Sequence, residues 1–141
     1  MGRMTDFDLE RFLAAQARDY DTARAEIAAG RKTTHWIWYV YPQLEGLGRS
    51  DRAQYYGLDG LAEAEAYLRH PVLGRRLVEM CELLLGHAGT PAEEILGGID
   101  AAKVRSCATL FERVAAAPDV FDRVLETFYD GRRDPRTLER L

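Results

Sequence analysis

The sequence is short of the residues that most often build special sites. Its 141 residues include two cysteines, Cys81 and Cys107, with no Cys-x-x-Cys pair and no histidine at ligand spacing from either. That excludes a zinc ribbon or a disulfide framework and predicts two buried thiols acting as small apolar side chains. Long hydrophobic runs are missing, so nothing reaches the ~18 to 20 apolar residues of a membrane span. The opening residues bring Asp6, Asp8, Glu10 and Arg11 where a signal peptide would carry its apolar core, and a cytoplasmic location is expected. Excess positive charge is missing too. Against 23 acidic residues there are 19 basic ones, a formal net charge of -4 and the wrong sign for a general phosphate-backbone binder. The pairs Arg31-Lys32, Arg75-Arg76 and Arg132-Arg133 never grow into a run, so only a local arginine groove could serve nucleic acid. There is no Gly-x-x-x-x-Gly-Lys phosphate loop, no His-Glu-x-x-His, no repeat and no low-complexity tract. Neither a metal nor a cofactor is expected.

What is present reads as one globular domain over residues 1–141, with residues 1–5 as a disordered tail. At 47% hydrophobic residues and this length, the chain can bury roughly two-thirds of its unfolded surface and needs no covalent staple. Leu9, Phe12, Leu13, Gln16, Tyr20, Ala23 and Ile27 recur in steps of three and four, one face of a helix, with Asp6 as a candidate cap and Gly30 as its stop. That helix is either continuous or broken around Asp19 to Asp21. Residues 35–41, His-Trp-Ile-Trp-Tyr-Val-Tyr, suit a buried strand or two buried helical turns capped by Thr34, and Pro42 ends either one. Residues 43–50 form a glycine-containing loop. Asp59 then caps a helix to about His70, and Pro71 opens the next, which buries Val72, Leu73, Leu77, Met80, Cys81 and Leu84 and stops at Gly86. Thr90-Pro91-Ala92-Glu93 reads as a capping box, Asp100 as the cap of a helix through Val114, Pro118 as the start of a helix with Phe121 and Leu125, and Asp134-Pro135 as the cap of a last turn. The sum is an all-α bundle of six or seven short helices, with one short extended segment allowed at residues 35–41.

The residues able to carry chemistry are unevenly spread. Seventeen of the 19 basic residues are arginine, and the two lysines are Lys32 and Lys103. In so arginine-rich a chain, lysine marks a place for a compact point charge, although two ordinary surface lysines would look the same. Both tryptophans, Trp36 and Trp38, share one short segment with Tyr39 and Tyr41, and Tyr55 and Tyr56 follow, enough to wall a pocket for a flat ring or simply to build a core. His35 opens that segment and is the candidate general acid or base. His70 stands at a helix end where a cation favours the dipole, and His87 reads as solvated. Asp100, Lys103 and Ser106 fall at i, i+3 and i+6 along one side of a helix, behind Gly97 and Gly98, whose amides could approach an anion. Gln43 and Ser50 are polar residues of the glycine loop.

These residues also carry a resemblance. Gly30-Arg-Lys-Thr-Thr-His-Trp-Ile-Trp38, Tyr41-Pro-Gln-Leu-Glu-Gly-Leu-Gly48 with Ser50, His70-Pro71-Val72-Leu73-Gly74, then Asp100, Lys103, Ser106, Thr109-Leu110-Phe111 and Asp134 with Thr137-Leu138 strongly resemble the signature of a bacterial and fungal family, domain of unknown function 1810. The resemblance spans nearly the whole chain and implies a mainly helical domain with no established activity. The name calpastatin sometimes attached to such proteins finds no support in a non-repetitive chain this apolar. A more distant likeness, of composition and architecture, is to helical domains that process ADP-ribose and related nucleotides.

Two functions follow as expectations. One is binding of a small nucleotide-like or phosphorylated ligand, extending to hydrolysis of an N-glycosidic bond, with His35 and Asp100 as catalytic residues and Lys32, Trp36, Trp38, Gln43, Ser50, His70, Lys103 and Ser106 as ligand-binding residues. The other is a protein-interaction module that meets its partner through residues 43–50. The expected partner is a small molecule rather than a membrane or nucleic acid. Oligomeric state is left open, as is whether Lys32 and Lys103 share one pocket.

Overall fold

A computed structural model describes residues 7–141; the expected caps and tail at residues 1–6 lie outside it. The described residues form an all-α fold of nine helices: α1 (Glu10–Ala28), α2 (Ile37–Val40), α3 (Asp51–Tyr55), α4 (Gly60–Arg69), α5 (Leu73–Leu85), α6 (Ala92–Leu96), α7 (Gly98–Glu112), α8 (Val120–Tyr129) and α9 (Pro135–Glu139). The count exceeds six or seven because residues 35–41 take the helical alternative as α2 and because α3, a single turn after the glycine loop, carries no signal of its own.

The long helices follow their apolar stripes. In α1 the buried positions are Phe12, Ala15, Gln16, Tyr20, Ala23 and Ile27, one face at helical spacing. The helix runs unbroken through Asp19 and Asp21, because neither carboxylate has to enter the core: Asp21 is exposed and Asp19 accepts a hydrogen bond from the Tyr39 hydroxyl. At its far end Gly30 takes φ +81°, and the ring of His87 lies over it with Nε2 donating to the Ile27 carbonyl at 2.7 Å. His87 is therefore a partly buried cap on α1 and not a solvated side chain.

Helix α7 is the central element, with α6, α8, α4 and α9 packed around it, and α5 joins α1, α4 and α8 on the other side. Close approach of α4 and α5 depends on Gly74, where an added Cβ would stand 1.9 Å from the Leu68 carbonyl oxygen. Trp36, Tyr41, Tyr67, Phe12, Phe111 and Phe121 are fully buried. Their polar atoms are satisfied inside: the Tyr41 hydroxyl donates to the Met80 carbonyl at 2.8 Å, and Gln16 Nε2 donates to the Tyr39 carbonyl and the Tyr67 hydroxyl at 2.7 and 3.1 Å. Cys81 and Cys107 are free and buried, and burial pushes both thiols up, away from thiolate chemistry. No described helix is long and apolar enough to cross a membrane.

Several local expectations are corrected by tertiary contacts. Residues 35–41 make a single turn, α2, with Trp36 rather than Thr34 at its cap position. Leu44 and Leu58 pair as an isolated parallel bridge, held by Glu45 N–H to the Leu58 carbonyl and Leu58 N–H to the Gln43 carbonyl. Helix α5 begins at Leu73 rather than Pro71, with His70 Nδ1 accepting the Val72 and Leu73 amides at 3.1 and 3.2 Å. That acceptor role requires Nδ1 without its proton, so His70 serves the start of α5 rather than the dipole at the end of α4. The Thr90 capping box does not form; α6 starts at Ala92 with Pro91 at the cap and no side-chain bond. Helix α7 starts at Gly98, which moves Asp100 from the cap into the first turn. Asp134 does cap α9, accepting the Thr137 amide at 3.0 Å, with Pro135 in the first turn.

Candidate functional site

The strap between α1 and α2 is fixed by one carboxylate. Glu26, near the end of α1, accepts the Thr33 and Thr34 amides at 2.8 and 3.1 Å, the Thr34 hydroxyl at 2.6 Å and Trp36 Nε1 at 3.0 Å. Burial raises the Glu26 carboxyl, but the bonds from Thr34, Thr33 and Trp36 outweigh it and bring it down to about 2. The Lys32 amide donates to the Ile95 carbonyl at 2.7 Å, which ties the strap to α6. This scaffold sends the Lys32 side chain inward, where only 5% of it is exposed.

There the two lysines meet. Lys32 Nζ is 2.8 Å from Asp100 Oδ2, donates to the Thr34 carbonyl and lies 4.8 Å above the Trp36 ring. Lys103 Nζ is 3.9 Å from the other carboxylate oxygen and 5.0 Å above the Trp38 ring. Because Lys32 engages Asp100 closely, the anion is largely compensated and Lys103 is left with charge to offer. Arg52 from α3 lies over the same indole, also at 5.0 Å. Trp38 Nε1 is buried with no hydrogen-bond partner. A groove of about 380 Å3 opens at this point, walled by Lys32, Asp100 and Lys103, by Trp38 and His35, and by the Gly97-Gly98 turn.

The structure thus brings Lys32, His35, Trp38, Asp100 and Lys103 to one groove. Gln43 and Ser106 line an adjoining one of about 330 Å3 that shares Lys103. Ser106 Oγ is spoken for: it lies 3.1 Å from Asp134 Oδ2, the same atom that caps α9, so it staples α7 to the last helix. Three expected ligand residues do other work. Trp36 is 1% exposed with its N–H on Glu26, Ser50 caps α3 by accepting the Ala53 amide at 3.1 Å, and His70 caps α5. None of the three lines the groove.

Sequence reasoning missed Glu26, Arg52 and Ile99. Glu26 carries no motif, and Arg52 is one arginine among seventeen. Ile99, 77% exposed on the rim, is an isoleucine at a position where helical spacing offers no core. No described group of three or more His, Cys, Asp or Glu residues could hold a metal ion.

A helical fold with a cationic, indole-walled groove at the junction of α2, α6 and α7 is thus the class of protein described. The chain matches the family model described as protein of unknown function (DUF1810) over residues 6–141, and it belongs to that family. It is also similar to a solved structure, the conserved hypothetical protein Rv1873 from Mycobacterium tuberculosis, at 46% identity over 96% of each chain with a TM-score of 0.94. No curated protein matches it.

Proposed function

We propose that this protein binds a small phosphorylated, nucleotide-like ligand in the groove between α2 and the α6–α7 turn. The observation that carries the reading is the convergence of both lysines of the chain on Asp100 beside a half-buried tryptophan whose N–H lacks an acceptor. Asp100 and Lys32 hold each other and shape the wall. Lys103 and Arg52 supply the charge that an anion meets, and His35 stands exposed at the mouth, able to carry a proton. For a ligand with an N-glycosidic bond, His35 and Asp100 are the groups that would handle protons at the scissile bond. A cytoplasmic location, where such metabolites are abundant, suits the reading.

The test is a thermal-shift screen against nucleotides, ADP-ribose and phosphorylated metabolites, followed by titration and product analysis of any hit. A ligand at 100 times its dissociation constant adds about 2.7 kcal/mol, a rise of several degrees for a domain of this size. The rise is expected to fall by about half in Lys103→Ala, as a tenfold loss of affinity at that concentration dictates; a flat screen on folded protein, or a hit indifferent to Lys103→Ala, contradicts the proposal. The second reading, a protein-interaction module, draws on the exposure of Ile99 and Tyr55 at 77% and 59%. A reproducible protein partner lost on Ile99→Asp, with no small-molecule response, would favour it.

A further inference from the structure

The groove lacks a free platform for the flat ring of a nucleotide-like ligand. Trp36 is sealed in the core. Trp38 has the Arg52 and Lys103 cations against its ring, and a base stacked there would push aside the charges its own phosphate needs. Another aromatic wall begins where the groove passes His35. A second cavity of about 760 Å3, twice the volume of the first, shares His35 with it, and Arg52 connects the two by lining the larger cavity while lying over Trp38.

The aromatic part of the larger cavity's wall is Tyr39, Tyr55 and Tyr56, and the carboxylates Asp19 and Asp51 line it too, which places the ligand's anionic end in the first groove rather than here. Tyr56 sits 5.0 Å from Tyr39 and 5.8 Å from Phe12, ring centre to ring centre, so the core braces it. Tyr39 is anchored by its hydroxyl on Asp19. Tyr55 meets Tyr56 edge-on at 4.8 Å and 82°, which fixes its ring while 59% of the residue stays exposed. Tyrosines held this way order little on binding, so stacking on them costs little entropy. Arg18 lines the same cavity, and neither Arg18 nor Arg52 has a carboxylate within ion-pair distance among the described residues.

We infer that the two cavities are one elongated site for a nucleoside diphosphate. The diphosphate lies at Lys103 and Arg52 beside Trp38, the ribose passes His35, and the base stacks on Tyr55 against Tyr56. This rests on the anion-binding groove proposed above and adds to it the ligand's other half. Both cavities fall within the usual size of ligand sites.

ADP and pyrophosphate, which differ by the adenosine moiety, separate the two claims. Each is titrated calorimetrically into the wild-type chain and into Lys103→Ala, Tyr55→Ala and Tyr55→Phe, with melting curves recorded for all four. Wild type should bind ADP at least about tenfold more tightly than pyrophosphate, as one stacked base provides. Tyr55→Ala should remove that margin and leave pyrophosphate binding unchanged, Tyr55→Phe should keep it, and Lys103→Ala should weaken both ligands about tenfold. Equal affinity of wild type for the two probes, or ADP binding untouched by Tyr55→Ala, overturns the elongated site and leaves the anion groove standing. Tyr55→Ala weakening both probes alike in a folded chain overturns it as well. Failure of wild type to bind either probe overturns both readings.

Discussion

The molecule uses the same pair of groups twice, a lysine over a tryptophan, to opposite ends. In the first pair Lys32 sits 4.8 Å above Trp36, the indole N–H rests on Glu26, and the ammonium is closed off by Asp100 and the Thr34 carbonyl. In the second Lys103 sits 5.0 Å above Trp38, the indole N–H has no acceptor, and Asp100 is reached only at 3.9 Å. A single residue, Ile37, separates the tryptophans, yet one is core and the other is groove wall. The lesson is that completion of hydrogen bonding, rather than residue type, distinguishes the closed cation–aromatic pair from the one to which the proposed function assigns a ligand.

That contrast can be broken by substitution. The largest effect is expected from Trp36→Ala, which removes a fully buried indole and should cost about 3–5 kcal/mol in denaturant unfolding. Trp38→Ala, removing a half-buried ring, should cost clearly less while abolishing ligand binding. Next comes Lys32→Ala, which strips a close ion pair from a side chain that is 5% exposed and leaves Asp100 with the more distant Lys103 alone; about 2 kcal/mol is expected. Glu26→Ala should follow at about 1–2 kcal/mol, since four donors lose their acceptor at a site water can partly reach.

Acid sharpens the same point. The Glu26 carboxyl is held at about 2 against an ordinary 4.5, so the folded state binds this proton more weakly than the unfolded state. Its stabilisation is complete above the ordinary value and is lost as pH falls from there toward 2. Glu26→Ala should therefore be distinguishable from wild type by its flatter stability profile through that window, and parallel profiles would contradict the account. The smallest stability effect belongs to Lys103→Ala, within about 0.5 kcal/mol of wild type, because its partner lies at the edge of ion-pair distance.

Much of the fold was legible in the sequence. The stripe from Phe12 to Ile27 became α1, Gly86 ended α5, and Asp134-Pro135 capped α9, because each depends on neighbours within a turn or two. Misplaced features depend on distant partners. Asp100 is not a cap because α7 starts two residues earlier, at Gly98, and its carboxylate pairs instead with Lys32, far away in sequence. Helix α3 and the Leu44–Leu58 bridge are too short to carry a period, and His87 acquires its role only when α1 passes beneath it. Of the candidate site, the scarcity of lysine pointed to Lys32 and Lys103 before any geometry was available. Their meeting at Asp100 needed the folded chain, as did the assignment of Trp36, Ser50 and His70 to structural tasks.

The most direct test of the contrast sets Lys32→Ala beside Lys103→Ala, measuring the melting temperature and pyrophosphate affinity of each. The account predicts that Lys32→Ala melts several degrees lower than wild type, whereas Lys103→Ala melts within about 2 degrees of it and loses at least about tenfold in affinity. A Lys103→Ala chain that is as destabilised as Lys32→Ala, or that binds pyrophosphate like wild type, would contradict it.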